Sequence, residues 1–195
     1  SDIKENNILY NEAEHKYYII DYGLMANTLD DAMYITHALG DQYEYWPRDV
    51  GLVAIMIQLS ELGFKKEFKS LTPANIKFLF KILDSKKITT FSTELQDKIL
   101  KNVAYLLDKL DLNEANFEEF AKASFETLDV YSLGVVIKRI VTYIRKQDKF
   151  ITGLSTLMTR EDPRKRMSIE DVHKNLIDWL QDKIELAQKN KLAQK

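Results

Sequence analysis

Asp2, Lys4 and Asn7 stand close together at the start of the chain, and Asp21 follows fourteen positions after Asn7. Carboxylate and amide oxygens can serve as metal ligands that neutralise phosphate oxygens, a further carboxylate can orient an accepting hydroxyl, and an ammonium group can meet a phosphate as a point charge. Transfer of a phosphoryl group from a nucleotide needs these parts and little covalent chemistry from the protein. Lys4, two positions after Asp2, lies on the same side of an extended loop. The four residues therefore point to phosphoryl transfer, provided that the fold brings Asn7 and Asp21 together.

A hairpin would do this. Ile8-Leu9-Tyr10 and Tyr17-Tyr18-Ile19-Ile20 are β-prone runs on either side of the polar turn Asn11 to Lys16, and a hairpin sets the residue before its first strand beside the residue after its second. Beyond it the spacing predicts a mainly helical body. Residues 24–49 show no sustained period and read as a long loop of a functional kind. A helix follows over 50–62, closed by Gly63, and Thr72 caps another with Pro73 at its first position and Phe80 on its buried face. Ser92 opens a helix with the stripe Ile99, Val103, Leu106 and Leu110, and Asn113 caps a shorter one carrying Phe117 and Phe120. Thr127 to Tyr143 is apolar enough to be buried over much of its circumference, as the central helix. A helix over 150–158 precedes Asp162-Pro163, and Ser168 with Asp171 resembles a capping box for the last helix, whose inner face is Ile169, Val172, Leu176, Trp179, Leu180 and Ile184. The tail beyond Gln188 is polar and expected to fray.

With 195 residues, 45% hydrophobic side chains and a formal net charge of −2, the chain suits one domain with a sizeable core and carries no global field for nucleic acid or an acidic membrane. The absence of cysteine removes disulfides, thiolate nucleophiles and cysteine-containing zinc sites, and His15, His37 and His173 are too scattered for a metal. No apolar run is long enough to span a bilayer, and an intracellular, cytoplasmic setting is expected. Ser1 in place of an initiator methionine suggests that Ser1 is not a natural start.

The order Asp2-Ile3-Lys4-Glu5-Asn6-Asn7, then Asp21-Tyr22-Gly23, resembles the catalytic loop D-x-K-x-x-N and the metal-binding D-F-G of eukaryotic-type protein kinases. Two further segments extend the likeness. Asp129-Val130-Tyr131-Ser132-Leu133-Gly134 is similar to the D-x-W-S-x-G that opens the central helix of the kinase C-terminal lobe, where the aspartate accepts hydrogen bonds from the catalytic loop at a buried helix start. Asp162-Pro163-Arg164-Lys165-Arg166-Met167-Ser168 resembles the D-P-x-x-R-x-S before its last helix. The family arginine, here Arg166, pairs with the glutamate of an A-P-E motif, and in Pro47-Arg48-Asp49 that place falls to Asp49. The wording of the catalytic loop and an insertion over 51–124 are also similar to kinase-like proteins of large DNA viruses.

The resemblance implies a mainly α, protein-kinase-like C-terminal lobe with a small β-hairpin carrying the catalytic and metal-binding loops. Residues 1–23 would form the catalytic loop and hairpin, 24–49 the activation segment, 51–124 a helical insertion and 125–195 the central and C-terminal helices. It implies Asp2 as catalytic base, Lys4 on the γ-phosphate of ATP, and Asn7 and Asp21 as magnesium ligands. Lys4 favours serine/threonine over tyrosine kinases, with a protein substrate. Ser1 stands where many kinases have an arginine that grips a phosphorylated activation loop, so Thr28, Tyr34, Thr36, Tyr43 and Tyr45 need not be regulatory. No glycine-rich loop, strand lysine or helix glutamate is present to hold a nucleotide from above, so an upper lobe is expected upstream. Two alternatives remain open: a catalytically inactive kinase-like binding module, and a small-molecule phosphotransferase of the aminoglycoside or choline kinase type. The latter normally lacks Lys4, the D-x-Y-S-x-G helix start and the D-P-x-x-R segment.

Overall fold

The computed structural model describes residues 3–21, 45–53, 74, 77, 78, 80, 81, 92–112, 115–144 and 148–193. Among them the fold is mainly helical, with one two-stranded antiparallel sheet. Ser1, Asp2, Tyr22, Gly23, His37, Gly63, Thr72, Pro73, Asn113 and most of the expected activation segment lie outside the described residues.

The hairpin forms where the β-prone runs predict it, with β1 at Ile8–Asn11 and β2 at Lys16–Ile19, paired from Ile8 opposite Ile19 to Asn11 opposite Lys16. The Asn11 side-chain oxygen accepts from the backbone N–H of Ala13 and Glu14, an Asx turn that reverses the chain locally. His15 takes the left-handed conformation in this turn and hydrogen-bonds the Tyr10 hydroxyl at 3.0 Å.

Five helices follow in the described residues: α1 Thr93–Leu110, α2 Phe117–Glu126, α3 Leu128–Ile144, α4 Lys149–Met158 and α5 Ile169–Ala193. The backbone is also helical over residues 49–53. Ser92 opens α1 as expected, its carbonyl accepting from Gln96 N–H. Asn116 occupies the cap position of α2 without a side-chain cap bond, because its amide turns back to the Asp111 carbonyl. Ser168 caps α5 by accepting from Asp171 N–H at 3.0 Å. The residues beyond Gln188 continue this helix to Ala193, because lysine, alanine, leucine and glutamine favour the helical backbone.

Three apolar clusters hold these elements. Leu52, Val53, Phe80, Val103, Leu106, Leu112, Phe120 and Ala121 form one, which lies wholly within residues 51–124. Val130, Leu154, Met158 and Val172 join α3, α4 and α5. Ile3, Tyr45 and Val136 join the N-terminal loop to α3, with Ile8 of β1 packed against them.

Helix α3 belongs to the second and third clusters and is central in that sense, but its burial stops short of the sequence expectation. Val130, Ser132, Gly134 and Val136 are buried, whereas Ile140, Tyr143 and Ile144 are exposed at its far end. The inner face of α5 is likewise narrower than its periodicity suggests. Val172 is buried and Leu176 packs on the cluster, while Ile169, Leu180 and Ile184 face water. Trp179 stacks on Phe150 of α4, ring centroids 5.5 Å apart, and completes the true contact face.

Gly134 explains the small residue in the α3 signature. A β-carbon there would lie 2.8 Å from the Met158 β-carbon and 2.7 Å from the Thr159 methyl. The methionine atom sits next to backbone, so relief needs movement of α4 itself. Gly134→Ala is expected to destabilise the protein by about 1–3 kcal/mol, the range for overpacking a filled core. Thermal unfolding checks this, and an unchanged midpoint would contradict the close approach.

Candidate functional site

The hairpin register brings Asn7 and Asp21 to the same end of the sheet. A 3₁₀ turn over Glu5–Asn7 leads into β1, with Asn7 N–H donating to the Lys4 carbonyl at 3.0 Å. The Asn7 carbonyl in turn accepts from Ile20 N–H at 2.8 Å, directly before Asp21. Asn7 is buried, Lys4 half-buried and Asp21 exposed. Asp21 sits at φ 62°, in the left-handed region that costs most residues energy and that aspartate tolerates better than most. The structure thus sets Asn7 beside the residue before Asp21, as the hairpin reading expects, with Lys4 at the turn before Asn7, while Asp2 lies outside the described residues. Asn7 and Asp21 supply an amide and a carboxylate oxygen, a donor set that fits magnesium, which keeps much of its water shell and needs few protein ligands. Among the described residues no group of three or more His, Cys, Asp or Glu forms a metal cluster.

One set of contacts ties this end of the sheet to the helical body, and a second ties residues 45–53 to it. The first is centred on Tyr45. Its hydroxyl donates to the Glu5 carboxylate and accepts from Arg139 of α3 at 2.7 Å, and the Arg139 guanidinium lies 4.6 Å from the centre of its ring. Arg139 also stands 3.9 Å from Glu5. From the other side, the Ser132 hydroxyl donates to the Tyr45 carbonyl at 3.0 Å. Glu5, Tyr45 and Arg139 carry no motif, and sequence reasoning missed them. Tyr45 figured there only as a phosphorylation candidate, whereas in the structure it is 8% exposed and its hydroxyl is engaged.

The second is the ion pair between Asp49 and Arg166, 117 positions apart and almost wholly buried. The guanidinium holds the carboxylate with two bonds, of 2.5 and 3.1 Å. Arg166 donates further to the Arg160 and Glu161 carbonyls and to the Thr127 hydroxyl, and Ser124 donates to the Asp49 carboxylate. Arg166 also lies 4.9 Å from the centre of the Tyr131 ring, whose phenol burial pushes up from its ordinary value. The pairing that the motif resemblance implies between these two residues is present. A cavity of about 290 Å³ borders it, and Lys4, Asn7 and Asp21 are not among its lining residues.

The segment that delivers Arg166 is itself braced. The Asp162 side chain accepts from Arg164 N–H at 3.1 Å and from the Arg164 guanidinium at 2.9 and 3.0 Å. Burial works to raise the Asp162 carboxyl, but these hydrogen bonds and the charges of Arg164 and Lys165 outweigh it and hold the group below its ordinary value. Arg164 then reaches the Leu110 carbonyl at the end of α1. Asp129 stands in the first turn of α3, where Thr127 and Val130 are buried and Asp129 itself is exposed.

Compared with protein-family models, with curated proteins and with solved structures, the chain matches none.

Two outcomes are expected from these contacts. Asp49→Ala leaves a buried guanidinium without its counter-charge and is expected to cost about 3–5 kcal/mol, while joint replacement by Asp49→Leu and Arg166→Met costs less. Denaturant unfolding of both variants checks the order, and equal losses would contradict it. Tyr45→Phe keeps the ring but removes both hydroxyl bonds, for about 1 kcal/mol of stability. Amide exchange at Asn7 and Ile20 should quicken in that variant by more than exchange within α4, and uniform quickening would contradict a local role.

Proposed function

We propose that this chain is the C-terminal lobe of an ATP- and magnesium-dependent serine/threonine protein kinase, acting on protein hydroxyls. The observation that carries this reading is the Asp49–Arg166 pair. Motif likeness alone linked two residues 117 positions apart, and they meet in a buried, two-bonded ion pair. The hairpin adds support, because its register sets Asn7 beside the residue before Asp21.

In this reading Asp2 orients the accepting hydroxyl and takes its proton, and Lys4 meets the γ-phosphate. Asn7 and Asp21 hold magnesium, which when bound neutralises charge on the phosphate oxygens. The left-handed backbone at Asp21 serves to aim its carboxylate, a use of local strain common at functional sites. An upper lobe encoded upstream would close over the nucleotide.

The test is transfer of labelled phosphate from ATP to a mixed serine/threonine peptide substrate, using the full-length natural protein and its Asp21→Asn variant. Asparagine also tolerates a positive φ, so this change removes the charge and spares the backbone. The variant is expected to lose more than the ~10–100-fold that removing an outer partner costs a metal site. Equal transfer by both forms would overturn the assignment, and no transfer by the natural protein would favour the binding-module alternative.

A further inference from the structure

The cavity of about 290 Å³ beside the Asp49–Arg166 pair opens where residues 45–53, α1, α3 and the loop before α5 meet. It has room for about ten waters and stands at the small end of the range for ligand pockets. Its walls differ in chemistry. Pro47 and Leu106 are buried and Val135 is half-buried, whereas Arg48, Lys138 and Glu161 are exposed. Tyr131, Val135 and Lys138 follow at i, i+4 and i+7, so one face of α3 presents a phenol, an apolar side chain and an ammonium group in turn.

Two donors on this face keep spare capacity. Burial pushes the Tyr131 phenol above its ordinary value and keeps it a neutral O–H donor, yet it makes no hydrogen bond among the described residues. The Lys138 ammonium donates to the Thr159 hydroxyl and meets no carboxylate among the described residues, which leaves two of its three N–H donors. The other charges of the lining are matched. Arg166 holds Asp49, and Arg48 stands 3.9 Å from Glu161, which also accepts from the Tyr105 hydroxyl. One positive charge, that of Lys138, is left over.

This balance selects among ligands. A phosphate dianion would exceed the single surplus charge and stand against Asp49 and Glu161. Any inorganic ion would leave Pro47, Leu106 and Val135 facing water, which apolar surface disfavours. A monoanion with an apolar body matches both walls. We propose that this cavity binds a small organic monocarboxylate, its apolar body against Leu106 and Val135 and its carboxylate paired with Lys138. The Tyr131 hydroxyl supplies a further donor for an oxygen of the same ligand. The inference uses none of Asp2, Lys4, Asn7 or Asp21 and stands whether or not the chain transfers phosphate.

Titration of the natural protein with benzoate, phenylacetate and 4-methylpentanoate, followed by the methyl NMR signals of Leu106 and Val135, tests it. At least one of the three acids is expected to shift both signals saturably, with a Kd in the millimolar range or tighter, as about ten ligand atoms give. The corresponding neutral amide should bind at least tenfold more weakly. Lys138→Met should cost a similar factor, and Lys138→Arg, which keeps the charge, should retain most of the affinity. Lys138 is exposed, so both variants are expected to keep the fold by circular dichroism. Saturation by none of the acids, equal affinity for acid and amide, or indifference to Lys138→Met would each overturn the proposal. So would inorganic phosphate shifting the signals as strongly as the acids, which would leave an adventitious ion only.

Discussion

A buried charge is tolerated only when its counter-charge and every remaining hydrogen-bonding position are supplied, and the Asp49–Arg166 pair meets that condition in full. Arg166 has five N–H donors, and the two bonds to Asp49, with those to Thr127, Arg160 and Glu161, use all five. The acceptors come from three separate stretches of chain: the segment after Trp46, the junction between α2 and α3, and the loop before α5. None can shift without stranding part of the guanidinium. The pair thereby fixes where residues 45–53 meet the helical body, and Tyr45, four residues before Asp49, is held in turn.

From Tyr45 the constraint passes to the hairpin. Its hydroxyl joins Glu5 in the turn before β1 to Arg139 on α3, and its carbonyl is held by Ser132. An isolated two-stranded hairpin is marginal in water, and much of this one is exposed, including Leu9, Tyr10 and Tyr17. Its position rests on the base, where Ile3, Ile8, Tyr45 and Val136 pack together. The end that carries Asn7 and Asp21 is therefore the anchored end, and the turn around His15 is the free one.

Helix α3 connects the two regions. Its Ser132 and Arg139 hold Tyr45, its Gly134 lets α4 approach, and its Val130 packs with Val172 of α5. Residues 51–124 are not an appendage to this frame. Tyr105 of α1 donates to Glu161, Ser124 of α2 donates to Asp49, and Arg164 spans from Asp162 to the end of α1.

Local signals decided the elements themselves. Alternating β-prone residues around an Asn-led turn make a hairpin wherever the chain lies, and Ser92 and Ser168 start helices through bonds that reach only a few residues. The gathering of Asn7 and Asp21 was legible for the same reason, since hairpin register is a local property. Arg166 with Asp49 was legible only through likeness of motif, because no spacing rule joins residues 117 positions apart. What the tertiary structure alone decided is which side of each periodic helix finds a neighbour. Leu180 and Ile184 continue the α5 pattern as well as Leu176 does, but the side of the helix they occupy is left exposed. In the first turn of α3 it is Thr127 and Val130 that take the buried side, and Asp129 the exposed one. Glu5, Tyr45 and Arg139 meet from three distant places, and an ordinary glutamate, tyrosine and arginine acquire a joint role only through the packing that brings them together.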